Sequence, residues 1–386
     1  MASYDDTLRK NLDMVFRAGG LGSKYGQVFE NFFGYNYRAR GAVVAANKDQ
    51  VGLTFFTRPD LNLHRDNVTQ DRHLTPLVSA DPITIPAAIR AYLDPNGSAD
   101  PDFGYSTPLV NPKAAFITLL TNGLKSLSGF PDNAVGTYTS PEGILGEQWS
   151  MSDGPYHIRG AFQLTASFTN MDGNPFVRLF DAWEAYQENL RTKKMIPWPR
   201  NRYNNRIDYT CRVYRLILDP SRRFVQQIAG TGYSFPTTNP QGGTFNFDND
   251  DNYDRSNDTV TVQFNSVGAI YNDPLLIEAF NKTSMMFNPD LQIVNKSKLT
   301  REEIRIKSGN YYRVTPEQRD LCNFYSYPLI HPCTYELCWF IEKDVYNRLR
   351  GTDSSTPLYR FDELPKDPFA EFGYDQSIRE IGNNNG

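Results

Sequence analysis

The sequence predicts a mainly β protein whose central part carries one amphipathic α-helix. Two patterns support this fold class. Apolar and polar residues alternate with period two over 158–168, and apolar residues recur at helical spacing over 176–190. Four further segments with strand character follow the helix, at 206–218, 223–229, 244–247 and 259–264. The predicted order is therefore one strand, one helix and four strands.

The chain before residue 150 is predicted to be an extension of this core. Its first 30 residues read as a short amphipathic helix that ends at Gly19 and Gly20. Two apolar strands, AVVAA and VGLTFFTRP, follow. The stretch 60–150 is rich in proline and favours an extended arm or a loop packed on a neighbour, with short helices at 87–93 and 114–127.

The central strand and helix have the clearest patterns. In the strand, the polar positions include Arg159, Gln163 and Thr165, which predicts one face toward water. Pro175 suits the first turn of the helix that follows. Its predicted packing face consists of Phe176, Phe180, Trp183 and Tyr186.

The strand predicted over 206–218 also has two distinct faces. Its polar face carries Arg206, Asp208 and Arg212, and the turn Asp219-Pro220-Ser221 leads into the next strand. After residue 285 the pattern changes to a mixed, charged region, with apolar strands near 325–341 and a short helix at 344–350. We therefore expect three regions, 1–150, 151–285 and 286–386.

Composition and charge limit the classes of function. The chain has 386 residues, 39% hydrophobic and 13% aromatic, which is enough to build a large core and argues against disorder. The net charge is −4, so no basic excess is available to neutralise nucleic-acid phosphates. Arginine outnumbers lysine, 27 to 13, and this excess together with many aromatic residues is typical of protein contact surfaces.

Metal chemistry has weak support. The cysteines Cys322, Cys333 and Cys338 lie near His331 but lack the close C-x2-C pair of zinc sites, so free buried thiols are favoured. The acidic stretch FDNDDNYDRSND lacks the glycine and glutamate of a helix-loop-helix calcium loop, which favours a solvated loop. We expect neither a metal nor a cofactor.

Enzymatic chemistry has one candidate segment. RPDLNLHRDNVTQDRH combines His64, Asp66, Asp71 and His73, from which a hydrolytic site could be built. The alternative is a polar loop that pairs across a subunit contact, and the sequence favours it because nothing fixes a nucleophile. The nucleophile elbow, the P-loop and the dinucleotide fingerprint are all missing from the sequence.

The central run IRGAFQLTASFTNMDGNPFVRLFDAWEAYQENL resembles the signature of phage tail-tube proteins. The segments RIDYTCRVYRLIL, RRFVQQIAG and DTVTVQFNSVG follow in the order that this family shows. The resemblance covers roughly residues 150–285. It implies an antiparallel β-sandwich or rolled sheet with one flanking helix, in subunits that join into a hexameric ring around a channel.

The resemblance also implies a function and partners. It indicates a non-enzymatic virion structural protein that contacts copies of itself and neighbouring tube, baseplate hub or sheath proteins, while phage DNA passes without specific binding. The regions 1–150 and 286–386 exceed a minimal tube subunit, which favours a baseplate tube initiator of a contractile tail. The alternatives are a major tube subunit of a large phage and, in another class, a tail-associated hydrolase.

The channel and subunit contacts implied by the ring fall on the polar strand faces and the acidic loop. Ring closure would pair the edge strands that a lone subunit leaves open. The residues expected at these surfaces are Arg159, Gln163, Thr165, Arg206, Asp208, Arg212, Asp248, Asp250 and Asp251.

Overall fold

The structure is a computed structural model. It describes residues 51–78, 81–97, 107–154, 160–219, 222–245, 258–296, 303–315, 318, 322 and 325–350. The chain divides into two compact units, the first made of residues 1–308 and 328–338 and the second of 309–327 and 339–386. The predicted N-terminal helix, the AVVAA strand and most of the acidic stretch lie outside the described residues.

The strands are numbered in chain order. They are β1 (Val51–Phe56), β2 (Leu124–Ser128), β3 (Thr137–Thr139), β4 (Ser150–Ser152), β5 (Ala161–Thr169), β6 (Val213–Leu218), β7 (Val225–Pro236), β8 (Thr259–Tyr271), β9 (Tyr311–Val314), β10 (Ser326–Ile330) and β11 (Leu337–Glu342). Six of them form the main sheet, in the order β1-β6-β7-β8-β5-β2 with antiparallel pairing throughout.

The helices are numbered in the same way. They are α1 (Arg65–Val68), α2 (Ile85–Leu93), α3 (Thr118–Gly123), α4 (Pro175–Arg191), α5 (Pro199–Tyr203), α6 (Gln241–Thr244), α7 (Pro274–Phe287) and α8 (Lys343–Leu349), with 3-10 turns at Thr75–Val78 and Pro289–Leu291. None of the helices in the described ranges is long and apolar enough to cross a membrane.

The main sheet is rolled, as aromatic contacts across it demonstrate. In a flat sheet β1 and β5 would lie about 19 Å apart, since they are four strand positions apart in the order. The ring of Phe56 on β1 instead lies 6.0 Å from that of Phe168 on β5 and 5.6 Å from that of Phe264 on β8. The mainly antiparallel fold with helices therefore agrees with the predicted fold class.

The predicted central strand and helix are confirmed as β5 and α4. On β5 the alternate residues Leu164, Ala166 and Phe168 are fully buried. Pro175 occupies the first turn of α4. The helix closes the inner side of the rolled sheet, where its Phe180 packs against Phe168 and Phe264. This apolar layer fixes which sheet face points outward.

A second helix, α7, covers part of the outer face, and the sequence analysis did not predict it. Asp273 caps the helix by accepting a hydrogen bond from the Leu275 backbone N–H at 2.9 Å, and Pro274 follows in the first turn. Phe280 then packs edge-on against Tyr214 of β6 and Phe55 of β1. Helix α7 therefore covers the β1–β6 end of the sheet.

The strand predicted over 206–218 is wrong in its first half, because β6 begins at Val213. Contacts with α4 hold the preceding segment instead. Trp183 donates its indole N–H to the Tyr209 carbonyl at 2.8 Å, and the Tyr186 hydroxyl donates to the Asp208 carboxylate. Hydrogen bonds from the side chains of α4 hold this segment, where the alternation alone predicts the backbone hydrogen bonds of a β-strand.

Two other predicted elements differ from the structure. The helix predicted over 114–127 is confined to α3, and the next residues form the edge strand β2. Gly123 lies at this junction against the Phe176 ring, in a place where a β-carbon would collide with that ring. The short strand predicted over 244–247 is not formed by its described residues, because Gln241–Thr244 is helical.

The second unit contains a small antiparallel pair. Within it, β9 pairs with β11 from Tyr311↔Glu342 to Val314↔Trp339. Tyr346 of α8 packs on Tyr312 at 5.3 Å, and Gln318 donates to the Tyr346 hydroxyl at 2.7 Å. The predicted strands near 325–341 and the short helix near 344–350 correspond to β10, β11 and α8.

The three-region division at residues 150 and 285 stays a prediction. In the structure, strands from the first two predicted regions share one sheet, because β1 and β2 lie before residue 150 and both belong to the main sheet. The part of the chain before residue 150 thus supplies the two strands at the ends of the strand order.

Candidate functional site

The outer face of β5 and β8 is polar and uncharged, and we call it the polar face. Its members alternate with the buried core residues and face one another in register, as in the pairs Thr165↔Gln263 and Ser167↔Thr261. They are Gln163, Thr165, Ser167, Thr169, Thr259, Thr261, Gln263 and Asn265. All are half-buried or exposed, so the hydroxyl and amide groups of this face are accessible for contact.

Hydrogen bonds within the polar face reduce its need for external partners. The hydroxyls of Ser167 and Thr261 lie 2.9 Å apart across the β5–β8 pair. At its margin, the Lys125 ammonium of β2 donates to the Thr259 hydroxyl at 3.2 Å. A surface of paired, neutral groups binds a polyanion weakly, because it offers few cations for counterion exchange.

The two end strands of the main sheet differ in whether the backbone groups on their outer edges have hydrogen-bond partners. Beside β1, the backbone N–H of Ile117 donates to the Phe56 carbonyl at 2.8 Å, so that edge is partly covered. In the described part of the chain, β2 pairs with β5 and with no second strand. An open edge of this kind is able to accept another strand.

Strands β3 and β4 form a two-stranded ribbon over 137–152, which we call the ribbon. One of its faces carries Tyr138, Trp149 and Met151, which are 45%, 59% and 54% exposed. At its tip Ile144 is 102% and Leu145 is 92% exposed. An isolated two-stranded ribbon is marginally stable at best, and contiguous exposed apolar surface is typical of contact sites.

The sequence-predicted channel and contact residues fall into four groups, and the buried Asp208 forms one of them by itself. Gln163 and Thr165 lie on the polar face, while Arg206 and Arg212 are exposed outside it. Arg212 donates through Nε to the Gly232 carbonyl at 3.0 Å. Arg159, Asp248, Asp250 and Asp251 lie outside the described residues. Among the described members of the predicted set, the structure brings only Gln163 and Thr165 together on one face.

Asp208 is a correction to the predicted set. The sequence placed it on a polar strand face, but its side chain is 3% exposed and cannot line a channel. It accepts the hydrogen bond from Tyr186, and burial raises the pKa of its carboxyl above the ordinary value. Tyr186 also uses its hydroxyl oxygen to accept from the Asn62 backbone N–H at 3.2 Å.

The helix face predicted to pack lies inside the core. Phe176, Phe180, Trp183 and Tyr186 have no exposed surface. Their burial anchors α4 and, through Trp183 and Tyr186, the segment that leads into β6. These residues therefore position the polar face without belonging to it.

A family model described as "Putative phage tail tube protein" matches residues 1–355. The chain belongs to this family. As a member of a tail tube family, it is a structural protein of the phage tail. No curated protein matches it.

Three solved structures share limited similarity with this tail tube protein. One is the sheath/tube terminator of an extracellular contractile injection system in the extended state, with 11% identity, a TM-score of 0.22 and coverage of 39% of this chain and 85% of that one. The second is the tube-terminating cap of the anti-feeding prophage, with 15% identity, a TM-score of 0.25 and coverage of 41% and 82%.

The third is the sheath–tube complex of an extracellular contractile injection system in the extended state. It has 13% identity to the tail tube protein, a TM-score of 0.23 and coverage of 41% of this chain and 82% of that one. The similarity in all three cases spans less than half of the tail tube protein.

The segment proposed for hydrolysis has structural contacts in the tail tube protein. His64 precedes α1 and accepts the Asp66 backbone N–H at 3.4 Å. Asp71 accepts from the Asn189 amide, and this hydrogen bond is the main cause of its lowered pKa. Among the described residues, no group of three or more His, Cys, Asp or Glu side chains is placed to hold a metal ion.

Sequence reasoning missed the ribbon because it treated 60–150 as one proline-rich arm. A signal was present in the sequence. Tyr138 and Trp149 lie on either side of a turn-rich segment, PEGILGEQ, and the flanking residues alternate with Thr and Ser. Such alternation is typical of a short hairpin with one apolar face.

Proposed function

We propose that this tail tube protein closes into a ring of six identical copies that lines the channel for phage DNA. The observation that carries the proposal is the combination of an open, neutral polar face with the open edge of β2 on the same sheet. A neighbouring copy would extend the sheet at β2, and the polar face would then turn toward the lumen.

The chemistry of the polar face supports passage of DNA without retention. Hydroxyl and amide groups neither repel phosphates nor bind them strongly. Because affinity for DNA rises steeply with each cation in contact with phosphate, a lining without arginine favours sliding. The role of the protein is then structural, with no catalytic step.

The ribbon supports contact with a neighbour. Its apolar face and tip remain uncovered by the described chain, and burying them against a second copy or an adjacent ring would stabilise both the ribbon and the assembly. In an arrangement where the neighbouring copies leave this surface uncovered, sheath or hub proteins would contact it instead.

We place the ring at the baseplate of a contractile tail, where it would template the first tube ring during assembly in the host cytoplasm. The parts beyond the main sheet, including the second unit, exceed what a minimal tube subunit needs. The alternative position is along the whole tube of a large phage.

Electron cryo-microscopy of purified particles tests this proposal and its alternative. We expect density for this chain as one six-membered ring at the base of the tube, with the polar face toward the lumen. A copy number of many times six would instead identify the major tube subunit. A location outside the tube would overturn the proposed function.

A further inference from the structure

A cavity of about 630 Å³ lies on the side of α4 that faces away from the core. Its walls come from Glu184, Gln187, Glu188 and Arg191 of α4, from Tyr209 before β6, and from Thr237 after β7. We call it the Glu184 pocket. It therefore combines carboxylates, an amide and an aromatic ring.

Glu184 is the unusual member of the pocket. Its Oε1 atom is buried and accepts no hydrogen bond from any described residue. Burial, followed by the nearby Asp181 carboxylate, raises the pKa of Glu184 to about 7. A carboxylate that is partly removed from water and has no hydrogen-bond donor is unsatisfied. A guanidinium would satisfy it, because its two parallel N–H groups match the two carboxylate oxygens.

A second surface of the same chain carries such groups. On α5 and the turn that follows it, Tyr203 is 89% exposed and Ile207 is 49% exposed. Arg202 and Arg206, both exposed, lie beside them in sequence, and neither side chain has a partner among the described residues. We call these four residues the arginine surface. Arginine and tyrosine together are typical of residues that dominate binding energy.

We propose that the arginine surface of one copy docks into the Glu184 pocket of a second copy. The two surfaces have complementary charge, and in the proposed ring they would meet head-to-tail, the pocket of each copy against the arginine surface of the next. Head-to-tail contacts generate rings when the rotation closes. The Tyr209 ring in the pocket wall offers a face for a guanidinium to stack on.

The inference rests on the proposed ring and adds a further contact between its members. Glu188 and Asp181 on α4 add negative charge around Glu184, while Arg191 in the same wall is exposed and opposes it only in part. The pocket is thus net acidic without the incoming arginine.

Sedimentation velocity of the full chain over a concentration series tests the contact. Glu184→Gln is expected to weaken self-association by about tenfold or more, because one partner of a charge-assisted pair is lost. The double variant Arg202→Glu, Arg206→Glu is expected to do the same. Matched controls are Glu278→Gln for the single variant and Arg72→Glu combined with Arg178→Glu for the double variant, which make the same charge changes at exposed positions outside both surfaces.

Exchanging the charges of the two surfaces tests directly whether they contact each other. Glu184→Arg combined with Arg202→Glu and Arg206→Glu is expected to recover part of the association that each change alone removes. Circular dichroism and thermal melting confirm that each variant is folded before its association is compared.

The outcomes separate the two proposals. If the wild-type chain associates and Glu184→Gln associates equally well, the Glu184 contact is wrong and the ring stands. If both charge-reversed surfaces weaken association but their combination recovers nothing, the two surfaces are not partners. If the wild-type chain does not associate at all, the ring and the contact fail together.

Discussion

The rolled sheet and the ribbon use aromatic residues in opposite ways. In the sheet core, Phe56 and Phe168 have no exposed surface and contact each other across strands that are distant in the strand order, and the buried Phe180 of α4 packs on Phe168. In the ribbon, Tyr138 and Trp149 contact each other at 5.7 Å yet remain about half exposed. The chain completes the core of the sheet by itself, whereas the ribbon has an apolar face that the described chain does not cover.

This difference separates folding from assembly. A change in the sheet core should lower the stability of the single chain, and a change in the ribbon should lower association while the single chain stays folded. Each of the following predictions tests one side of that separation.

Phe180→Ala should produce the largest loss. The side chain is fully buried between Phe168 and Phe264, so its removal leaves a cavity and is expected to cost about 3–5 kcal/mol of unfolding free energy. Chemical denaturation at a concentration where the chain is monomeric measures this. A loss below about 1 kcal/mol would show that α4 does not close the core.

Asp208→Ala should produce the next largest loss of stability. It leaves the buried Tyr186 hydroxyl without its acceptor, which is expected to cost about 1–3 kcal/mol. The wild-type chain should also show a pH dependence that the variant lacks. Because the folded-state pKa is raised, the stability that Asp208 contributes is present below its ordinary pKa and falls as the pH rises through the folded value.

Denaturant titrations of both proteins across the acidic range check this prediction. A wild-type curve that gains stability relative to the variant as pH rises through that window would contradict it.

Ile144→Ser combined with Leu145→Ser should weaken association and leave the folding of the single chain unchanged. Both side chains are almost fully exposed, so the unfolding free energy should change by less than about 0.5 kcal/mol. Association should weaken by about tenfold or more, because apolar anchors at the centre of a contact carry much of its energy. Unchanged association with an unchanged melting temperature would show that the ribbon is not a contact surface.

Glu184→Gln should have the smallest effect on stability, and in the opposite direction. The raised pKa of about 7 means that the folded chain loses stability as the pH rises from 4.5 to about 7, while the unpaired carboxylate ionises. The variant should therefore melt slightly higher than wild type above pH 7 and associate more weakly. Thermal melts at pH 5 and pH 8 measure the first effect, and a lower melting temperature at pH 8 would contradict it.

The elements predicted from the sequence are those whose pattern lies within the element itself. Strand β5 has unbroken alternation, and α4 has both Pro175 at its start and an apolar face of large residues, so each was found with nearly correct bounds. Helix α7 was not predicted, although the sequence carries a local signal for it in Asp273 and Pro274 at its start.

The rest depends on contacts between distant parts of the chain. Asp208 alternates correctly for a strand, and only the hydrogen bond from Tyr186 places it inside. The pairing of β2 with β5 joins two strands that the ribbon separates in the chain, and no local pattern encodes it. Glu184 looks in sequence like any other glutamate on a helix, since its lack of a partner arises from tertiary packing.

The mass of the purified full chain by native mass spectrometry is the most direct test of the claim that sister copies complete this sheet. Six copies of a 44.0 kDa chain predict a species of about 264 kDa (six times 44.0), and the ribbon variant should shift the population toward single chains. A sole species of 44.0 kDa for the wild-type chain at every concentration would contradict the account.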